Sequence, residues 1–187
     1  MFVALDLPSD AKAECTRLVQ ELRPRAPEAR FVPSQNLHLT IAFLGDVPPG
    51  KVEAITSAIT DAAATHTVSG SHLQSVGAFP SAGRARVLWA GLAEAGELER
   101  LAQSIALSLE PLGFQPEERS FSAHITLGRL RKPEPVDLIG LEVVAVPIPV
   151  ESLTLFRSHL GSGPARYEPV AVVPLGMTGS RRSSGTA

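Results

Sequence analysis

The 187-residue chain contains a single cysteine, Cys15, which excludes an internal disulfide and a zinc site built from cysteines. Its 17 basic residues are balanced by 19 acidic ones, so it lacks the overall positive field of a non-specific nucleic-acid-binding protein. No apolar run approaches the length of a membrane span, and the opening MFVALDLPSD lacks the basic and long apolar segments of a secretory signal. We therefore expect a protein of the reducing cytosol without membrane association.

The composition is that of an ordinary globular protein. Apolar residues make up 44% of the chain and charged residues 19%, and the length suits one domain or two small lobes with a real core. The residues after Leu175, GMTGSRRSSGTA, are polar and small. We predict a single domain over residues 1–175 and a disordered tail over 176–187.

Hydrophobic periodicity predicts strands and helices in a repeated order. The predicted elements are a strand over 2–7, a helix over 9–23, a strand over 37–44, a helix over 52–62, strands over 67–79 and 86–90, a helix over 97–109, a strand in SAHITLGR, a loop over RKPEPVD, and two or three strands within 141–158 and 165–175. A strand, a helix and a strand containing His-x-Thr thus occur twice. This order predicts two pseudo-symmetric α+β lobes in one self-contained chain, which favours a monomer.

The two strands that contain His-x-Thr have the same distribution of polar and apolar residues. Strict alternation places His38 and Thr40 of NLHLTIAF on one face, opposite the apolar residues Leu37, Leu39, Ile41 and Phe43. In SAHITLGR, His124 and Thr126 likewise lie opposite the apolar residues that alternate with them. Each strand therefore presents an imidazole and a hydroxyl on the face away from the core.

Two imidazoles and two hydroxyls suit the chemistry of a phosphate ester. An imidazole titrates near neutrality, so one histidine can act as a general base while the other acts as a general acid. A threonine hydroxyl is a donor with a narrow rotamer range, suited to a non-bridging phosphate oxygen. One such motif alone would be read as the polar face of a half-exposed strand. A metal site is the other alternative, and it would need a third ligand from a distant part of the chain.

The remaining candidate residues lack a matching second motif. His66, His72 and His159 stand alone in the sequence, and no function is assigned to them. Trp89 has apolar neighbours and is interpreted as a core residue rather than as a platform for a base.

These motifs and their surroundings resemble the 2H phosphoesterase superfamily, and most closely its RNA 2′,3′-cyclic phosphodiesterase branch, the LigT-like or 2′-5′ RNA ligase family. The resemblance covers the chain to about Leu175 through the segments FVALDLP, VPSQNLHLTIAFLGDV, RVLWAGL, FSAHITLGR and SLTLFRSHLGSGPARYEPV. One departure is Ala123, where family members often have proline. The resemblance implies a bilobal, pseudo-two-fold α+β fold in which two antiparallel sheets flank a central groove, with helices outside.

The resemblance also implies an activity, the hydrolysis of a terminal RNA 2′,3′-cyclic phosphate to a 2′-phosphomonoester without a metal or cofactor. The expected partners are RNA ends or nucleotides that carry this cyclic phosphate. The residues that match the family are His38 as proton donor, His124 as proton acceptor, Thr40, Thr126 and Arg129 as phosphate ligands, and Tyr167 as a candidate nucleotide contact. Phe43 is a further candidate nucleotide contact. Two alternatives remain: ligation in the reverse direction to give a 2′-5′ linkage, and a nucleotide- or RNA-binding module without turnover.

Arg129 requires a departure from regular strand geometry. Strict alternation places it on the face opposite His124. Its side chain can reach the phosphate only if the strand bends or bulges near Gly128, and a glycine suits such a bulge. The sequence therefore predicts a bulge at this point.

Overall fold

The structure is a computed structural model that describes residues 1–116, 120–159, 161 and 165–176. Within these ranges the strands are β1 (Phe2–Asp6), β2 (Arg30–Phe31), β3 (His38–Phe43), β4 (Ser71–Phe79), β5 (Ala85–Leu92), β6 (His124–Glu134), β7 (Pro147–Ile148), β8 (Ser152–His159) and β9 (Arg166–Pro174). The α-helices are α1 (Ser9–Leu22), α2 (Val52–Ala64) and α3 (Gly96–Leu109). Except for Gly176, the predicted tail lies outside the described residues.

Most predicted elements are present, but β6 is longer than predicted and β2 was not predicted. The segment RKPEPVD was predicted as a loop, but β6 continues through its first four residues to Glu134, which pairs with Ala85 of β5. A wide register shift between Ala85 and Val87 accommodates Pro133, whose nitrogen cannot donate to the ladder. The two-residue strand β2 was not predicted, because it is too short to show a period.

The strands are arranged with a pseudo-two-fold symmetry. Their order across the sheet is β9-β8-β1-β3-β6-β5-β4-β7, with β2 added beside β6. The two central strands, β3 and β6, are those that contain His-x-Thr. β3 is flanked by β1, which precedes α1 in the chain, and β6 is flanked by β5, which precedes α3. This confirms the bilobal α+β architecture. The two predicted antiparallel sheets are the halves of one sheet, joined where Leu39 of β3 pairs with Ile125 of β6.

One hydrophobic core holds the two central strands in place. Their inward residues Leu39, Ile41, Ile125 and Leu127 are all buried, and they belong to the same cluster as the buried faces of the helices. The inward face of α3 consists of the predicted residues, Leu98, Leu101, Ala102, Ile105 and Leu109. The alternation of buried and exposed positions therefore fixes which side chains of β3 and β6 face away from the core.

In the part of the chain that the structure describes, no helix has the length and apolar character needed to cross a membrane.

Candidate active site

The pairing of β3 with β6 brings the two His-x-Thr motifs onto one face of the sheet. The strands are antiparallel and meet at Leu39 and Ile125. By this register His38 lies across from Thr126, and His124 lies across from Thr40. Each lobe therefore supplies an imidazole whose residue lies across from the threonine of the other lobe.

The two histidines are held by equivalent hydrogen bonds. Nδ1 of His38 is 2.7 Å from the carbonyl oxygen of Asn36, and Nδ1 of His124 is 2.7 Å from the carbonyl oxygen of Ser122. Because a carbonyl can only accept, Nδ1–H is the donor in both rings. In each neutral ring Nε2 is then the unprotonated nitrogen, which can take up and return a proton; in His38 it accepts a hydrogen bond from the hydroxyl of Thr40.

The surroundings of the two histidines differ. The ring of His38 is stacked on Phe2, with centroids 4.8 Å apart, and the edge of Tyr167 approaches it at 5.3 Å. Burial among these rings lowers the pKa of His38, while the Asn36 carbonyl and the Asp6 carboxylate act in the opposite direction. Nε2 of His38 is also 3.0 Å from the hydroxyl oxygen of Thr40.

His124 has one close aromatic neighbour of this kind, Phe79, whose ring meets it edge-on at 5.1 Å. Phe79 in turn packs against Trp89, with centroids 5.2 Å apart. Trp89, interpreted as a core residue rather than as a platform for a base, is half-buried with a buried Nε1. It lies outside the main hydrophobic cluster, on the side of the sheet where it pairs with Thr126 and where Gly77 leaves room for its ring. A Cβ on Gly77 would come within 2.2 Å of that ring.

Arg129 reaches the groove face through the predicted bulge. Leu88 pairs with Gly128 but Trp89 pairs with Thr126, so Leu127 is an extra residue in β6. The extra residue shifts the alternation and turns Arg129 to the same side as Thr126. A Cβ on Gly128 would lie 2.9 Å from the ring of Phe31, so close packing against β2 explains the glycine.

An equivalent bulge occurs in β3. Val3 pairs with Ala42 and Ala4 pairs with Thr40, which leaves Ile41 as the extra residue. The prediction that Phe43 shares the apolar face of this strand is therefore wrong. Phe43 is turned to the groove and is 56% exposed.

The groove consists of two adjoining cavities with volumes of about 760 and 370 Å³. Both are lined by the same four central residues: Thr40, Phe43, Thr126 and Arg129. The larger cavity extends past His124 towards α3, and the smaller one passes His38 and Tyr167. All seven sequence-predicted site residues thus line one continuous groove.

Two further residues beside His38 were not identified from the sequence. Asp6 of β1 pairs directly with His38, and its carboxylate accepts a hydrogen bond of 3.2 Å from Thr154. Asn36, whose carbonyl holds the imidazole, is buried and donates through its side chain to the carbonyl of Ala165 at 2.6 Å. The role of Asp6 depends on strand pairing, which no local motif reveals, whereas the carbonyl of Asn36 acts locally, two residues before His38.

The other histidines lie outside this groove. His66 is 2.7 Å from the hydroxyl of Ser104, and His159 pairs with Glu168 at 2.6 Å. Among residues 1–116, 120–159, 161 and 165–176, no three His, Cys, Asp or Glu side chains come together in a group that could hold a metal ion.

The chain is similar to proteins of one known family. The family model described as LigT like Phosphoesterase matches residues 5–89 and 91–166. The RNA 2′,3′-cyclic phosphodiesterase of Archaeoglobus fulgidus is 35% identical over 141 residues, which cover 74% of this chain and 78% of that protein. The enzyme of the same name from Geobacillus stearothermophilus is 31% identical over 178 residues, or 93% of this chain, which spans 56% of the Geobacillus protein.

Solved structures show the same fold. A protein of Thermus thermophilus superposes with a TM-score of 0.82 at 28% identity, covering 93% of this chain and 96% of that one. Escherichia coli LigT complexed with 3′-AMP superposes with a TM-score of 0.76 at 25% identity, covering 94% and 97%. The chain therefore belongs to the LigT-like phosphoesterase family.

Proposed function

We propose that this protein hydrolyses the terminal 2′,3′-cyclic phosphate of RNA to a 2′-phosphomonoester, with its two histidines as the acid and the base and without a metal ion. The observation that carries this proposal is the placement of two Nε2 atoms and two threonine hydroxyls on one face of β3 and β6. The names of the Geobacillus and Archaeoglobus relatives and the 3′-AMP complex of E. coli LigT support it. Because each lobe of one chain supplies one histidine, a monomer is sufficient.

The proposed reaction uses this placement, with the orientation of the cyclic phosphate that the resemblance implies. Nε2 of His124 takes a proton from water while the water oxygen attacks phosphorus in line. The bond from phosphorus to the 3′ oxygen breaks, and the Nε2–H of His38 donates its proton to that oxygen. Thr40, Thr126 and Arg129 bind the non-bridging oxygens, whose negative charge grows in the transition state. The products are a 2′-phosphate and a 3′-hydroxyl, and proton exchange with solvent restores the histidines.

The burial of His38 opposes its proposed role as the proton donor. Burial lowers the pKa of His38 and so disfavours the protonated ring that a donor requires. Asp6 lies directly opposite His38 on the neighbouring strand, whereas Gly91 occupies the equivalent position opposite His124. The pseudo-symmetry is thus broken by one carboxylate, placed beside the histidine that needs to hold a proton.

The nucleotide is held by the aromatic residues of the groove. The exposed ring of Phe43 is available to stack on a base, and Tyr167 lines the smaller cavity next to His38.

Ligation is a second candidate function, because the groove continues on both sides of the central residues. A 5′-hydroxyl end in one cavity could replace the attacking water and give a 2′-5′ linkage with the same acid and base. Water is in far excess, so hydrolysis dominates unless both ends are held.

Turnover of a nucleoside 2′,3′-cyclic phosphate in excess chelator tests the proposal. We expect a phosphomonoester to accumulate at the same rate with and without chelator. Tight binding without product would instead favour a binding module. Loss of turnover on chelation, restored by added metal, would contradict a reaction carried by the two histidines alone.

A further inference from the structure

The position of Arg30 is unusual for a surface arginine. It lies on the two-residue strand β2, directly opposite Arg129 of β6. Like charges directly opposite each other on neighbouring antiparallel strands are destabilising. In the described residues neither guanidinium lies within 4 Å of a carboxylate, since the ion pairs there involve Arg17 and His159.

Arg30 and Arg129 face the same side of the sheet. Val32, two residues after Arg30, lines the smaller cavity together with Arg129, whereas Phe31 packs on the other side against Gly128. Arg129 lines the groove with the central threonines, and Arg30 lies one strand further out on β2, two residues before Val32 of the cavity wall. The two arginines therefore form a short positive track that leads away from the catalytic phosphate position.

We propose that Arg30 binds the phosphodiester one nucleotide upstream of the cyclic end, so that the preferred substrate is an RNA end with an internal phosphate rather than a mononucleotide. This inference rests on the proposed function, which places the cyclic phosphate at Thr40, Thr126 and Arg129. An anion between the two guanidinium groups removes the repulsion that the pairing otherwise imposes. The equivalent track is absent beside β3, where Phe43 occupies the position that corresponds to Arg129.

The test compares a dinucleotide with a mononucleotide, both ending in a 2′,3′-cyclic phosphate, in wild type and Arg30→Gln. We expect the substitution to lower the dinucleotide-to-mononucleotide ratio of kcat/KM about 10- to 150-fold, the range for one hydrogen bond to a charged group. It should also make the salt dependence shallower for the dinucleotide, by about 0.7 in the slope of log kcat/KM against log salt.

Arg23→Gln is the matched control, because the Arg23 guanidinium lies over the ring of Phe31, 5.2 Å from its centroid, on the side of β2 away from the groove. The dinucleotide-to-mononucleotide ratio of kcat/KM in Arg23→Gln should equal that of wild type. An unchanged ratio in Arg30→Gln, or an equal change in Arg23→Gln, would overturn the proposal.

Measurements of ligand binding distinguish a failure of the Arg30 proposal from a failure of the proposed function. Arg30→Gln should weaken the binding of a 3′-phosphorylated dinucleotide relative to that of a 3′-mononucleotide, as measured by the two Kd values, by the same factor as in the kcat/KM comparison. This holds whether or not turnover is observed. If wild type binds both ligands equally, the Arg30 proposal fails even where hydrolysis is found. If the ratio falls but neither cyclic phosphate is hydrolysed, the proposed function fails and the Arg30 contact stands.

Discussion

Phe43 and Arg129 occupy equivalent positions in the two central strands, and a bulge at the equivalent residue, Ile41 or Leu127, turns each of them into the groove. The pseudo-two-fold symmetry therefore holds for the backbone but not for the chemistry. At this position β3 has an aromatic ring and β6 has a cation. The groove has one side suited to a base and another suited to a phosphate.

Replacing Phe43 with alanine should weaken substrate use without altering the proton transfers. A base stacked on an aromatic side chain is worth about 1–3 kcal/mol, so kcat/KM should fall roughly 5- to 100-fold. The pH profile should keep its shape, because no titrating group is lost. Val172→Ala is the control, since Val172 is also an exposed apolar residue, at 64%. Wild-type kcat/KM in Phe43→Ala would rule out the stacking role.

The two histidines should behave as one catalytic unit. His38→Ala and His124→Ala should each lower kcat by about 10²- to 10⁴-fold, the usual range for general acid–base catalysis. The double variant should lose little more than either single variant, because both act in one proton-transfer scheme. His72→Ala, on β4, should retain activity. Additive losses in the double variant would show independent roles and contradict a shared phosphate.

Thr40→Val and Thr126→Val should lower the rate without changing the shape of the pH profile. We expect kcat/KM to follow a bell-shaped pH profile, because one imidazole must be neutral while the other is protonated. Each removes a donor aimed at a phosphate oxygen, which is worth about 10²- to 10³-fold in kcat. Valine suits a strand at least as well as threonine, so thermal stability should be unchanged or higher. Serine should recover part of the rate. Wild-type rates in both valine variants would mean that the threonines serve only the strand.

Asp6→Asn should separate the roles of the two histidines. The Asp6 carboxylate opposes the burial that lowers the pKa of His38, so its loss should lower that pKa further. The limb of the kcat/KM profile that reports His38 then moves to lower pH. A cross-strand charge pair is worth about 0.2–1 kcal/mol, so the change in protonation is roughly 1.4- to 5-fold.

The direction of the rate change identifies the role. If His38 is the donor, fewer molecules carry its proton near neutral pH and the maximum of kcat/KM falls. If His38 is the acceptor, the neutral ring becomes more abundant and the maximum holds or rises. Asp61→Asn, an exposed carboxylate on α2, controls for net charge.

The sequence was sufficient to predict the features of the site that depend on local pattern. Period-2 alternation placed both imidazoles and both hydroxyls on the outer faces of their strands, and Gly128 indicated the bulge that redirects Arg129. The bulge at Ile41 was missed because no glycine marks it, and so Phe43 was assigned to the wrong face. A bulge arises from the register with the neighbouring strand, which is a long-range property.

The features that were missed share this dependence on distant pairing. Asp6 belongs to a strand whose partner is separated from it by a whole helix, and Trp89 lies on its side of the sheet because it pairs with Thr126. Arg30 acquires its position from two residues of strand that have no periodic signal of their own.

The identity of the monoester formed at the end of an RNA oligomer with a terminal 2′,3′-cyclic phosphate tests the proposed reaction most directly. The wild-type protein in excess chelator should form only the terminal 2′-phosphomonoester, because the proton donor His38 must face the departing 3′ oxygen. The His38→Ala His124→Ala protein should form none above background. A 3′-phosphomonoester from wild type would contradict the orientation of the cyclic phosphate between the two histidines, and undiminished product from the double variant would contradict their roles as acid and base.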